Sequence, residues 1–153
     1  MEVEQTDENL IHCIYASAAT AEFTPKDLEE LLSVARKNNE ALGVTGMLLY
    51  EKGSFFQILE GAPEAVESLF EKISADKRHS RISKLILEPI EARSFANWSM
   101  GHAAVPVRKL SEIEGLNDFF QAGKCFTGLD DGRAKILLKA FRDGQWRSTI
   151  TGK

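Results

Sequence analysis

The apolar positions of this chain change period as they go, and each period predicts an element. Leu10 to Ala16 (LIHCIYA) is a compact run of apolar and β-forming residues and reads as a first strand. Leu28, Leu31, Leu32 and Ala35 then recur at helical spacing behind Thr24-Pro25-Lys26-Asp27. A Thr N-cap, a Pro at the first helical position and an acid at the third mark the start of that helix. Gly43 turns the chain into a second strand, Val44 to Tyr50, and Lys52-Gly53 makes a tight turn into a third, Phe55 to Leu59. Pro63 opens a second helix with Val66, Leu69, Phe70 and Ile73 on its apolar face, ending around residues 76–80. Ile82 to Glu88 reads as a fourth strand and Trp98 to Ala103 as a shorter fifth.

The order β-α-β-β-α-β predicts an α+β fold of the ferredoxin-like kind, with an added fifth strand and two helices on one sheet face. After Arg108, LSEIEGLNDFFQ and RAKILLKAF carry helical periodicity on either side of AGKCFTGLDDG. Two C-terminal helices are therefore expected to cover the other face. The chain divides on this reading into a tail at 1–9, a domain at 10–104 and a helical extension at 105–153.

Composition narrows the setting. The 153 residues are 43% hydrophobic and 27% charged, enough for one sizeable core. A net charge of -4 and a pI near 5.5 argue against nucleic acid, whose phosphates require a concentrated basic surface. The acidic start MEVEQTDENL and the lack of any span-length apolar window lead to the expectation of no secretion signal and no membrane partner. Cys13 and Cys125 match no zinc, haem or redox spacing, so a reducing cytoplasm is expected, with both as buried small hydrophobes. His12 and His102 form no ligand spacing with Cys13, and no metal is expected.

Several polar residues stand in apolar places. Period two puts Phe55, Gln57 and Leu59 on one face of the third strand and Phe56 and Ile58 on the other. Asn39 continues the Leu28, Leu32, Ala35 stripe of the first helix, Tyr15 alternates with Cys13 and Ile11, and Trp98 and Met100, at i and i+2, are expected to share a face. A buried amide needs hydrogen-bond partners, and a buried phenol usually finds one. On pattern alone these residues also read as ordinary satisfied amides and packing side chains.

The segments IYAS (14–17), NNEALGVTGMLLY (38–50), FFQILEG (55–61), DKRHS (76–80) and FANWSM (95–100) give the chain more character. Together they resemble the BLUF family of flavin-based blue-light sensors, over about Leu10 to Ala104. The resemblance implies an isoalloxazine ring between the two helices, contacted by Tyr15, Gln57 and Asn39, with Met100 and Trp98 at the light-responsive positions. Asn38 stands where the family often has a His or an aromatic residue, beside the ring edge. Asp76, Arg78 and His79 would meet the ribityl chain and phosphate, although cations after a helix and a solvated Asp76–Arg78 pair are also ordinary features.

The implied cofactor is FAD, with FMN also fitting. The implied function is light sensing without an attached catalytic domain: Tyr15 gives up an electron and a proton, Gln57 relays the proton, and the amide ends rotated or tautomerised. Output would pass through the C-terminal helices to a separate protein partner or a homo-oligomer, dimer or larger. Competing classes are a flavin oxidoreductase, for which no nicotinamide fingerprint is present, a small ferredoxin-like hydrolase, for which no triad is present, and a flavin-free interaction module.

Overall fold

The computed structural model describes residues 9–21, 23–51, 53–96, 98–103, 112–113, 115–116, 126, 129–142 and 150–151. Its elements are β1 (Leu10–Ala19), α1 (Pro25–Leu42), β2 (Thr45–Glu51), β3 (Ser54–Gly61), α2 (Pro63–Ala75), β4 (His79–Ile90), β5 (Gly101–Ala103), α3 (Asp131–Arg142) and β6 (Ile150–Thr151). The strands lie in the order β4-β1-β3-β2-β5-β6, and the first four pair antiparallel throughout. This is the split β-α-β arrangement: β3 lies between β1 and β2, and β1 lies between β3 and β4.

Local chemistry sets the element ends. Thr24 Oγ1 accepts from Asp27 N–H while Asp27 Oδ2 accepts from Thr24 N–H, each at 3.1 Å, closing a capping box before Pro25. Gly43, at φ 72°, ends α1 in the left-handed region, and Gly53, at φ 79°, carries the β2–β3 turn. Strands β1, β3 and β4 run beyond their expected ends. β4 starts at His79 rather than Ile82 because a bulge lets it stay paired with β1: the register shifts between Ile14 and Tyr15 and between Ala16 and Ala18. Arg81 takes φ 48° along this irregular stretch.

Alternation along β3 separates two cores. Phe55 and Leu59 join Cys13, Tyr15, Leu48, Leu32, Val66, Leu69 and Met100 on the side of α1 and α2. Phe56 and Ile58 join Ile14, Met47, Leu49, Ile86, Trp98 and Phe126 on the opposite side, together with Ala134, Leu137 and Leu138 of α3. The helix expected at 110–121 falls almost wholly outside the described residues, as does Cys125.

The expectation that Trp98 and Met100 share a face does not hold. The strand begins only at Gly101, so no period-two rule runs through residues 98–100. Trp98 belongs to the α3-side core and Met100 to the α1/α2-side core. The backbone there is held from outside, beginning with Gly46 N–H, which donates to Trp98 O at 3.0 Å.

Gly46 also packs close against the backbone of β3. A Cβ at position 46 would lie 1.9 Å from Ile58 O. Gly46→Ala is expected to lower stability by about 2–3 kcal/mol or more, since the clash is with backbone rather than with a flexible side chain. Guanidinium unfolding midpoints of the two proteins give the measurement.

Candidate functional site

Between α1 and α2 the core opens into a cleft enclosing about 740 Å³, counted out to its mouth. The helices contribute aliphatic walls, Leu31, Leu32 and Ala35 from one and Leu69 and Ile73 from the other. The sheet supplies Tyr15, Leu48, Phe55 and Gln57 as a floor, and Asn38, Lys72, Asp76, Arg78 and His79 lie on the lining as well. The lining is that of a pocket for a flat, largely apolar ligand with a few polar edges.

Tyr15 and Gln57 are direct cross-strand partners of β1 and β3. The Tyr15 hydroxyl donates to Gln57 Oε1, and Gln57 Nε2 donates to Met100 Sδ at 3.2 Å. Tyr15 and Met100 are fully buried, and Gln57 is 6% exposed. Burial pushes the Tyr15 phenol far above its ordinary value of 10.0, so it is a neutral donor at any ordinary pH. The amide is thus satisfied unevenly: one side meets a hydroxyl, the other a thioether, a weak acceptor.

Asn39 lies two helical turns beyond Leu32, on the same buried face of α1. Its Nδ2 donates to Ser99 O at 2.7 Å while the residue lines the cleft. Asn38 lines the rim from an exposed position. Met100 lines the cleft and Trp98 does not; its ring stacks on Phe95 beneath the sheet, centroids 5.6 Å apart.

At the mouth, Arg78 Nη2 and Nε reach Asp76 Oδ2 at 2.6 and 3.1 Å. Hydrogen bonding from this guanidinium holds the Asp76 carboxyl down at about 2. The pair is partly exposed and adds little to stability. Its effect is to fix the direction of Arg78 at the rim. His79 Nδ1 is 2.8 Å from Ser17 Oγ and its ring lies 4.9 Å from that of Phe55. Burial pushes the imidazole below its ordinary value of 6.5.

Two residues escaped the sequence reading. Glu60, with 0% exposure, accepts from Thr45 Oγ1 at 2.9 Å, Ser94 N–H at 2.6 Å and Phe95 N–H at 3.1 Å. It ties the end of β3 to the turn that leads into Trp98 and Met100. A charged residue ending an apolar run was the available signal. Arg36 Nε donates to Met100 O at 3.0 Å; its position one turn before Asn39 was the available signal there. Among the described residues no three His, Cys, Asp or Glu side chains form a metal cluster, and no helix is long and apolar enough to cross a membrane.

Comparison with known proteins gives a consistent neighbourhood. Residues 10–101 match the family described as "BLUF: Sensors of blue-light using FAD". The chain is 40% identical over 94 residues to photoactivated adenylate cyclase subunit beta of Euglena longa, covering 60% of this chain and 11% of the relative. It therefore spans about a tenth of the cyclase subunit's length. It is 37% identical over 87 residues to the blue light- and temperature-regulated antirepressor BluF of Escherichia coli K12, covering 57% of this chain and 22% of that one. Among solved structures, BlsA in its ground state superposes with TM-score 0.73 at 34% identity over 87% of each chain. The dark state of BlrB does so with TM-score 0.67 at 32% identity, over 88% of this chain and 97% of that one.

The lowered His79 fixes a pH dependence. The unfolded imidazole takes up its proton near 6.5 and the folded one only at lower pH, so the unfolded state binds more protons in between. Stability is therefore expected to fall as pH drops below 6.5, and less steeply in His79→Gln. Urea midpoints for both proteins between pH 5 and 7.5 measure the difference. Asp76 affects only the range from 3.8 down to about 2, outside this window.

Proposed function

The chain belongs to the BLUF family of sensors of blue light using FAD, and from that membership we propose that it is a blue-light photoreceptor whose flavin is read by Gln57. The observation that carries this reading is the position of the Gln57 amide. It lies at the floor of an apolar cleft, between a phenol hydroxyl that donates to its oxygen and a sulfur that accepts weakly from its nitrogen.

The residues present fit a flavin. Aliphatic walls from α1 and α2 suit the faces of a flat ring, and Asn39 offers a donor and an acceptor to a ring edge of alternating carbonyl and N–H groups. Gln57 Nε2, held only by a thioether, has a better bond to make with a ring acceptor. Arg78, His79 and Lys72, with Asp76 orienting the guanidinium and Asn38 at the rim, suit a ribityl chain and phosphate leaving the cleft. FAD is the proposed cofactor; FMN shares these parts, and the similar BlrP1 of Klebsiella pneumoniae has been solved with FMN.

When bound, the flavin supplies the blue-light absorption and the site that takes up an electron and a proton. The protein's own groups then have one route. Tyr15, kept neutral by burial, would give up an electron and pass its proton along the bond it already makes to Gln57 Oε1 as Gln57 Nε2 passes one on into the cleft; the return of electron and proton to Tyr15 leaves the phenol neutral and the amide rotated or tautomerised. Rotation of the amide exchanges its oxygen and nitrogen. Nε2 then faces Tyr15, whose oxygen becomes an acceptor, and Oε1 faces the cleft or the Met100 sulfur. Every bond of the amide changes partner while net charge stays constant, so no ion is desolvated.

Phe56 and Ile58 flank Gln57 in sequence and point to the opposite core, where Leu137 and Leu138 of α3 pack. This supports a route through the sheet to α3, with an unidentified protein partner or a homo-oligomer as receiver. Tyr15, Gln57, Asn39 and Met100 offer no acid or base at the inner end of the cleft, and His79 at its mouth is engaged with Ser17, which favours a sensor over turnover chemistry. A free, buried Cys13 thiol, pushed up to about 11 by burial, suits a reducing cytoplasm. The sensor unit is proposed as residues 10–104 and the output extension as 105–153.

Absorption spectra in darkness and after blue illumination test the reading. The purified protein is expected to carry a flavin spectrum that shifts to the red and relaxes in the dark. Tyr15→Phe and Gln57→Ala should retain the flavin and lose the shift. A normal shift in Tyr15→Phe would remove Tyr15 from the mechanism, and a colourless protein that takes up no added flavin would remove the mechanism itself.

A further inference from the structure

The segment entering β5 is held in an unusual way. Residues 98–100 lie outside any strand, yet three successive carbonyls each have a different donor: Trp98 O takes Gly46 N–H at 3.0 Å, Ser99 O takes Asn39 Nδ2 at 2.7 Å, and Met100 O takes Arg36 Nε at 3.0 Å. Gly46 belongs to the rigid β2. Arg36 and Asn39 are three residues apart on α1 and so project from one side of it, one turn from each other.

These three bonds differ in what competes for them. Gly46 N–H is fixed by the sheet. Asn39 lines the cleft, so an occupant of the cleft draws on the same amide. Arg36 does not line the cleft, and its bond is charge-assisted, the stronger kind. Its Nη2 is also buried, with no hydrogen-bond partner among the described residues. A second donor of the planar fork therefore lies unused beside the one that holds Met100 O, able to receive a displaced carbonyl.

The far end of Met100 is anchored weakly by comparison. Its sulfur receives only Gln57 Nε2, at 3.2 Å, and an amide rotation removes that donor. The charge-assisted bond from Arg36 then holds the Met100 end of the segment, as Gly46 N–H holds the Trp98 end.

We infer that Arg36 is the positioning residue that latches the Trp98–Met100 segment, and that release of its bond to the Met100 carbonyl lets a rearranged Gln57 amide move the segment. The movement and its kinetics rest on the light-sensing reading; the latch itself is read in darkness.

The test uses the full flavin-loaded protein in a Trp146→Phe background, which leaves Trp98 as the single indole, labelled as 5-fluorotryptophan. The fluorine resonance in the dark reports where Trp98 sits. The parent should give one buried resonance that moves on illumination. Arg36→Ala should displace or split that resonance already in the dark, so that dark and lit spectra largely coincide. The flavin red shift should persist in Arg36→Ala, with dark recovery slowed by about tenfold because the latch no longer favours return. Arg36→Lys, which keeps a donor, should restore the parent pattern. Arg36→Met keeps the aliphatic stem without a donor and carries the test if circular dichroism shows the Ala variant unfolded. A parent-like dark resonance in the folded donor-less variant overturns the latch. A parent that shows no red shift under blue light overturns the sensor reading instead, and the dark resonances still decide the role of Arg36.

Discussion

The arrangement turns on one constraint: a primary amide enclosed at the floor of an apolar cleft must place two unlike polar ends on fixed partners. Gln57 places its oxygen on Tyr15 and its nitrogen on Met100. An unpartnered buried donor costs about 1–3 kcal/mol, so the weak thioether bond is retained for lack of a better one. Much of the surrounding structure follows from supplying those partners. Direct cross-strand pairing of β1 with β3 brings Tyr15 opposite Gln57, and the departure from strand geometry at 98–100 brings the Met100 side chain up to the nitrogen. Had period two continued from Met100 back to Trp98, two bulky side chains would compete for one side of the sheet. The irregular backbone separates them, one into each core.

That irregularity has a cost, since three carbonyls leave the sheet ladder and each needs a donor. The donors come from elements already fixed for other reasons. Gly46 lies in β2, packed against the backbone of β3, and α1 is fixed at its start by a capping box and at its end by Gly43. From the other direction, Glu60 holds the amides of Ser94 and Phe95. The stretch from Ser94 to Met100 is therefore pinned at one end by Glu60 and at the other by Gly46, Asn39 and Arg36, a build that tolerates small, discrete movements better than gradual ones. The Asp76–Arg78 pair at the rim differs in kind: it is solvated, orients a cation, and is of little weight for the fold.

What the sequence made legible was whatever followed from local period and local chemistry. Thr24-Pro25 and Pro63 gave the helix starts, Gly43 and Gly53 the turns, and alternation across Phe55 to Leu59 the two faces of β3. Tyr15, Asn39 and Gln57 stood out as polar residues at apolar positions. Longer-range chemistry was not legible. The bulge that extends β4 to His79 depends on its pairing with β1, and the turn at Glu60 on backbone amides 34 and 35 residues away. Trp98 was misread because period two was applied to a stretch that is not a strand. Arg36 drew no notice, since its partner is a backbone carbonyl and only its place one turn before Asn39 hinted at a role.

The choice of glutamine at this position also follows from the constraint. A glutamate in its place would offer two acceptors when ionised, and neither could donate to Met100; it would also be a desolvated charge with no cation among its contacts. A leucine would fill the space and leave the buried Tyr15 hydroxyl without an acceptor. A serine or threonine hydroxyl can donate and accept, but its single oxygen cannot reach two partners on opposite sides. The amide alone has a donor and an acceptor separated by a fixed distance on one pivot, uncharged in both orientations. A half-turn of that group inverts the polarity presented to Tyr15 and to Met100 together. Phe56 and Ile58, its neighbours in the strand, already touch the core shared with α3. An event confined to one side chain on the cleft side thus lies one peptide unit from the packing on the far side of the sheet.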